Sequence, residues 1–283
     1  MTTSPMPTPL VSVRWLEANI ASGSVVVLDA SMAPIGGAPP PRPAETPYIP
    51  GARVFDFDHR ICDRASPLPH MMPSAELFEA ELRALGVNRD SQVVVYDKVG
   101  IFSSPRAWWM LRSMGHEAVA VLDGGLPAWL AAGLPTENTA RPPSAPGDFV
   151  ARPQPGYFCD ADRVAEVLGR AGQRVLDARS KGRFEGSEPE PRQGLRSGHM
   201  PGAINLPFSA VQREGRMLPP DELRQLYASK VGELDQLIFS CGSGVTACVL
   251  ALGATLAGHS KLSVYDGSWS EWGLPSSRPV VSG

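Results

Sequence analysis

The segment best equipped for chemistry is "IFSCGSGVTACVL" at residues 238–250, where an apolar run stops at Cys241, two glycines and a serine follow, and a small-residue apolar pattern resumes. If "QLIFS" is a strand and "TACVLALGATLAG" a helix, Cys241 opens a tight loop of Gly242, Ser243, Gly244, Val245 and Thr246. The glycines let successive backbone N–H groups turn inward, and those amides together with the helix N-terminus would stabilise negative charge on sulfur. A thiolate so placed is a better nucleophile at neutral pH than a free cysteine, so Cys241 is the candidate nucleophile. Cys248 lies among Ala, Val and Leu and reads as core, while Cys62 and Cys159 begin no comparable loop.

Composition limits what such a site can serve. Four cysteines in 283 residues are too few for a disulfide framework, and none shows the C-x-x-C spacing of a zinc site; free thiols in a reducing compartment and no bound metal are expected. Lys and Arg number 26 against 29 Asp and Glu, a net charge of -3, which excludes a global field for nucleic acid or an anionic membrane. Any anion must be held locally. No apolar stretch approaches a bilayer span, and "MTTSPMPTPL" has neither a basic nor an apolar leader region, which points to the cytoplasm.

The elements that position the loop occur twice. "VVVLDAS" (25–31) returns as "RVLDARS" (174–180), "YIPGARVFDFD" (48–58) as "HMPGAINLPFS" (199–209), "VVVYD" (93–97) as "LIFSC" (237–241), "RSMGH" as "TLAGH", and "AVLDGGLPAW" from 120 as "SVYDGSWSEW" from 263. The order is kept, so the chain holds two copies of one fold, 8–139 and 157–283, joined by a Pro-rich linker at 140–156. In each copy, short runs of Val, Leu and Ile alternate with helix-period stretches such as "SAELFEAELRALG" (74–86) and "DADRVAEVLGRAG" (160–172), whose N-caps would be Ser74 and Asp160. That is an α/β pattern: two tandem domains, each a mostly parallel sheet flanked by helices. Ligands of such sheets lie beyond the carboxyl ends of the strands, which is the address of residue 241.

The loop "CGSGVTA", the following "GH", the "YDGSWSEW" segment and the duplicated architecture resemble the two-domain sulfurtransferases of the rhodanese superfamily, within them the branch that uses 3-mercaptopyruvate, and the likeness spans nearly the whole chain. In that family the N-terminal copy has lost the nucleophile; here Asp97 aligns with Cys241. The resemblance implies transfer of sulfur through a cysteine persulfide to an acceptor such as thioredoxin, another thiol or cyanide, with no cofactor. Thiosulfate sulfurtransferases carry a basic pair after the cysteine, which suits a doubly charged donor. Here the pair is Gly242 and Ser243, better matched to a mercapto-keto acid whose departing enolate needs a hydrogen bond, although thiosulfate stays a possible second donor.

Arg183 and Arg192, in "GRFEGSEPEPRQG" (182–194), match family positions that hold the donor carboxylate, and they are expected in a loop with little helical or strand pattern. The segment "FDFDHRICDRASPLPHMMP" (55–73), in the N-terminal copy, resembles the one that supplies an aspartate and a histidine; Asp58 and His70 fit, although Asp56, Asp63 and His59 compete for the pairing. With Ser243 they would form a Ser–His–Asp relay. Asp177 and Arg179 are expected to tie loops together, and the tryptophans to anchor packing. Two rival classes are a cysteine phosphatase, disfavoured because "CGSGVTA" has no arginine, and a non-catalytic sulfur-relay module.

Overall fold

The computed structural model describes residues 6–7, 9–32, 46–232 and 236–283; the domain boundary expected at residue 8 lies outside them. The chain divides into two compact units. One comprises the described residues up to Arg64 with Met72–Gln154 and Glu214–Met217, and the other Ala65–Met71, Pro155–Arg213 and Leu218–Gly283.

The first unit holds strands β1 (Leu10–Val11), β2 (Val25–Asp29), β3 (Arg53–Val54), β4 (Gln92–Tyr96) and β5 (Val119–Leu122). They form one sheet in the order β1-β5-β4-β2-β3, every pair parallel. In the second unit β6 (Phe158–Cys159), β7 (Gln173–Asp177), β8 (Ile204–Asn205), β11 (Gln236–Ser240) and β12 (Leu262–Tyr265) repeat that order as β6-β12-β11-β7-β8, again parallel throughout. Two short strands, β9 (Gln212–Arg213) and β10 (Arg216–Met217), lie outside both sheets. The central strands are apolar without alternation because helices cover both faces: Val93 to Tyr96 and Leu237 to Ser240 are all buried.

Helices α1 (Val13–Asn19), α2 (Ala75–Ala84), α3 (Ser104–Ser113) and α4 (Gly125–Ala131) belong to the first unit, and α5 (Ala161–Val167), α6 (Lys181–Glu185), α7 (Pro220–Val231), α8 (Ala247–Leu256) and α9 (Ser268–Trp272) to the second. Both expected N-caps are in place: Ser74 accepts from the Leu77 amide at 3.3 Å, and Asp160 from that of Arg163 at 2.8 Å. α5 stops sooner than its apolar period suggests, since Gly169 and Gly172 both take left-handed backbone at φ 81° and 77°. α8 is buried along its first eight residues, as its Ala, Gly and Leu content requires for close packing on the sheet.

The Pro-rich stretch after residue 140 is tied to the first unit. The amides of Arg141, Gly147, Phe149, Arg152 and Gln154 donate to carbonyls of Ala52, Arg83, Val87, Met114 and Ser113, and Phe149 is buried against Phe78 and His116. Among the described residues no helix is long and apolar enough to cross a membrane.

Candidate active site

The site is set by strand register. β11 pairs with β7 so that Ser240 lies opposite Asp177, and the next residue, Cys241, is the first beyond the sheet. Cys241 is 2% exposed. Its loop turns back at Gly244, whose φ of 73° suits glycine, and runs directly into the N-terminus of the ten-residue helix α8, so the positive end of the helix dipole points toward the loop. Ser243 and Val245 are buried, and Thr246 occupies the N-cap position. The Cys248 thiol donates to the Gly244 carbonyl at 3.3 Å, a structural role within the helix.

The turn after β12 fixes the backbone of Cys241. Its N–H donates to Ser268 Oγ at 3.1 Å, and its carbonyl accepts from the Trp269 amide at 2.9 Å. The Gly242 carbonyl accepts both the amide and the hydroxyl of Ser270, at 2.8 and 2.6 Å. Ser268 is held at φ 47°, a left-handed conformation costly for a residue with a Cβ, and its hydroxyl donates to the Tyr265 carbonyl at 2.8 Å.

The two arginines converge on the loop. A Cβ placed on Gly242 would lie 3.1 Å from Arg183 Nη2 and 3.8 Å from Arg192 Nη1, so this glycine leaves room for both guanidinium groups. Arg183 is not in an irregular loop, as expected, but on α6, which Ser180 caps by accepting the Arg183 amide and Gly186 ends at φ 82°. Five residues are too few for a readable apolar period, although both terminal signals stand in the sequence.

Arg192 Nη2 lies 3.3 Å from Ser243 Oγ and 3.4 Å from His70 Nε2. A guanidinium only donates, so His70 meets it with Nε2 as the acceptor. His70 was expected from the N-terminal copy, yet the segment Ala65–Met71 that carries it belongs to the second unit, because its contacts are made there. It too is left-handed, at φ 61°. Asp58 belongs to the first unit, its carboxylate 3.9 Å from His59 Nε2.

Sequence reading missed Glu190, whose carboxylate grips Arg183 at 2.5 Å and Arg179 at 2.7 Å. It also missed Ser268 and Ser270, which flank Trp269 in "GSWSEW". Asp177 and Arg179 do bind their surroundings together. Burial opposes the charge on Arg179, but Asp177 and Glu190 outweigh it and raise its pKa above the ordinary guanidinium value. Elsewhere in the unit, a cavity of about 600 Å³ is lined by Leu68, Met71, Phe158, Cys159 and Asp266 among others. Burial pushes the Cys159 thiol there up to about 11, which keeps it protonated and inert at neutral pH.

A family model described as "Rhodanese-like domain" matches residues 12–132 and 160–274. The chain is 43% identical to "3-mercaptopyruvate sulfurtransferase" of Homo sapiens, over 93% of this chain and 91% of that one. It is 40% identical to "Thiosulfate/3-mercaptopyruvate sulfurtransferase 1, mitochondrial" of Arabidopsis thaliana, over 97% and 78% respectively. The crystal structure of SseA from Escherichia coli, described as a 3-mercaptopyruvate sulfotransferase of rhodanese fold, superposes with a TM-score of 0.83 at 38% identity, covering 94% of this chain and all of that one.

Proposed function

Because this chain belongs to the rhodanese-like domain family, in two tandem copies, we propose that it is a 3-mercaptopyruvate sulfurtransferase whose second copy, 157–283, carries the chemistry. The observation that carries this reading is the convergence of Arg183 and Arg192 over Gly242, beside a buried Cys241 and a neutral Gly242–Ser243 pair. Two forks suit a carboxylate, and a hydroxyl beside the thiol suits a keto oxygen.

In the first half-reaction the arginines hold the donor carboxylate and the Cys241 thiolate attacks the donor sulfur. A sulfur–sulfur bond forms as the sulfur–carbon bond breaks, and its electron pair passes into the enolate of pyruvate. Ser243 donates a hydrogen bond to the developing enolate oxygen, and protonation at carbon completes pyruvate. His70 orients the Ser243 hydroxyl in this scheme. The Cys241 persulfide rests among the loop amides of Gly242, Gly244, Val245 and Thr246 at the α8 N-terminus. In the second half-reaction an acceptor thiolate takes the outer sulfur and Cys241 leaves as thiolate. Thioredoxin fits as acceptor, since a second thiol of the same protein can release the sulfur as hydrogen sulfide and close a disulfide; cyanide takes it as thiocyanate. The first copy, 8–139, is the non-catalytic one, the 140–156 stretch links the two, and the sparse free thiols suit the cytoplasm.

The test compares pyruvate release from mercaptopyruvate and a thiol with thiocyanate formation from thiosulfate and cyanide. Faster turnover of mercaptopyruvate is expected. Thiosulfate as the faster donor would overturn the assignment, and inactivity with both would leave a relay module.

A further inference from the structure

The two arginines over Gly242 are held in different ways. Arg192 reaches Ser243 and His70, whereas Arg183 is gripped side-on by Glu190, with Nη2 2.5 Å from Oε2 and Nε 3.3 Å from Oε1. Glu190 Oε1 also accepts from Arg179 Nη1 at 2.7 Å. Arg179 in turn donates to the Asp177 carboxylate through Nε at 3.0 Å and Nη2 at 2.7 Å, donates to the Gly198 carbonyl, and stacks 4.0 Å over the Trp269 ring. The side chains of Asp177 and Arg179 are fully buried and that of Glu190 is 2% exposed, while Arg183, at the end of the row, is 24% exposed.

The row alternates in sign from the sheet to the loop: Asp177, Arg179, Glu190, Arg183. A buried carboxylate this close cancels most of the field of its partner while leaving the partner's other N–H groups free to point elsewhere. We propose that Glu190 is a positioning residue that sets donor specificity: it grips Arg183 through Nε and Nη2, holding Nη2 beside Gly242, and it leaves the outer end of the guanidinium for a carboxylate without adding net positive charge. This inference rests on the mercaptopyruvate reading above. A singly charged carboxylate gains the hydrogen bonds of the fork. A doubly charged sulfonate, whose binding depends more on net charge, is left with less.

Glu190→Gln keeps the shape and removes the charge. The weaker hold on Arg183 should cost mercaptopyruvate mainly in KM, while the added positive field acts on a dianion twice as strongly as on a monoanion, so the ratio of kcat/KM for thiosulfate to that for mercaptopyruvate should rise about tenfold. Glu190→Asp retains the charge and should keep the ratio near that of the wild type even if both rates fall. An unchanged ratio in Glu190→Gln, or an equal shift in Glu190→Asp, overturns the proposal, since a merely structural role would lower both donors together. If Glu190→Gln fails to fold by circular dichroism, the wild type still decides: pyruvate should compete with donor more tightly than sulfate, and sulfate binding as tightly overturns it. Failure of the underlying reading shows separately, as a wild type that releases no pyruvate from mercaptopyruvate, whereas the inhibitor comparison reads the charge of the site alone.

Discussion

After β4 the chain enters its loop with Asp97, and after β11 with Cys241, each residue following one that pairs with an aspartate on the neighbouring strand, Asp29 or Asp177. The carbonyls of both accept from the matching amide of the DG-containing turn, Leu126 in one copy and Trp269 in the other, at 3.0 and 2.9 Å. The side chains then differ. Asp97 Oδ2 accepts the amides of Phe102, Ser103 and Ser104 and the Ser104 hydroxyl, all within 3.0 Å, and Oδ1 accepts the amide of Val99. The first loop has closed around an anion of its own. In the second, a thiol stands at the same address and the arginines stand over the next residue, Gly242. The backbone frame is the same in both copies; in the first, a covalently attached carboxylate takes up the loop amides.

The turn beneath carries a second difference. Gly125 and Ser268 occupy matching positions and nearly the same left-handed backbone, at φ 54° and 47°. The first copy uses the residue that adopts it freely. The second uses serine, accepts strain on the order of 1–3 kcal/mol, and gains a hydroxyl that takes the Cys241 N–H. At this turn the strained residue is the one whose hydroxyl meets the Cys241 backbone.

The largest effect that would break this contrast is loss of the proposed nucleophile. Cys241→Ser should abolish sulfur transfer with the fold intact, and intact-protein mass spectrometry should show a sulfur adduct on the wild type after donor alone but none on the variant. Residual turnover, or an adduct on Cys248, would place the chemistry elsewhere. Next, Ser243→Ala should lower kcat with mercaptopyruvate on the order of 10²-fold and affect thiosulfate less, because only the keto acid leaves as an enolate. Equal losses would reduce Ser243 to a loop-shaping role and remove the His70 and Asp58 relay with it.

Ser268→Gly makes the turn of the second copy resemble that of the first. Released strain is offset by the two buried hydrogen bonds the hydroxyl makes, so stability should change by no more than about 1–2 kcal/mol, while kcat falls by about tenfold as the Cys241 N–H loses its partner; thermal melting and single-turnover kinetics read the two separately. Smallest in its effect on sulfur transfer is Asp97→Asn. The amide keeps the shape but cannot accept at both ends, so urea unfolding should show a loss of about 1–3 kcal/mol while activity persists. A destabilised but active enzyme would confirm the carboxylate as an internal structural anion.

Much of this contrast is legible in the amino-acid sequence. The matched segments predict two copies, and both sheets have the same strand order; the glycines around Cys241 predict a strand-to-helix loop, which β11 and α8 enclose. These features are legible because local pattern and backbone geometry create them. Glu190 is not, since among the acids and prolines of "SEPEPRQG" nothing distinguishes it until Arg179 and Arg183 close on it in space. Ser268 is equally silent, because its backbone angle emerges from the turn rather than from its neighbours in sequence. His70 looks like a residue of the first copy, and the segment that carries it packs by tertiary contact with the second unit.

The identical strand order of the two sheets also bears on how the chain reaches its native state. Parallel sheets fold through pairings distant in sequence, which form slowly, and a chain with two such sheets of one topology offers each central strand two acceptors of similar shape. Ribosomal synthesis, at roughly 5–20 residues per second, resolves the choice by timing. All five strands of the first sheet have emerged before β6 exists, and β11 follows far later still. The first core can therefore close before its look-alike competes for partners. Refolding from denaturant, where both copies search at once, lacks that protection.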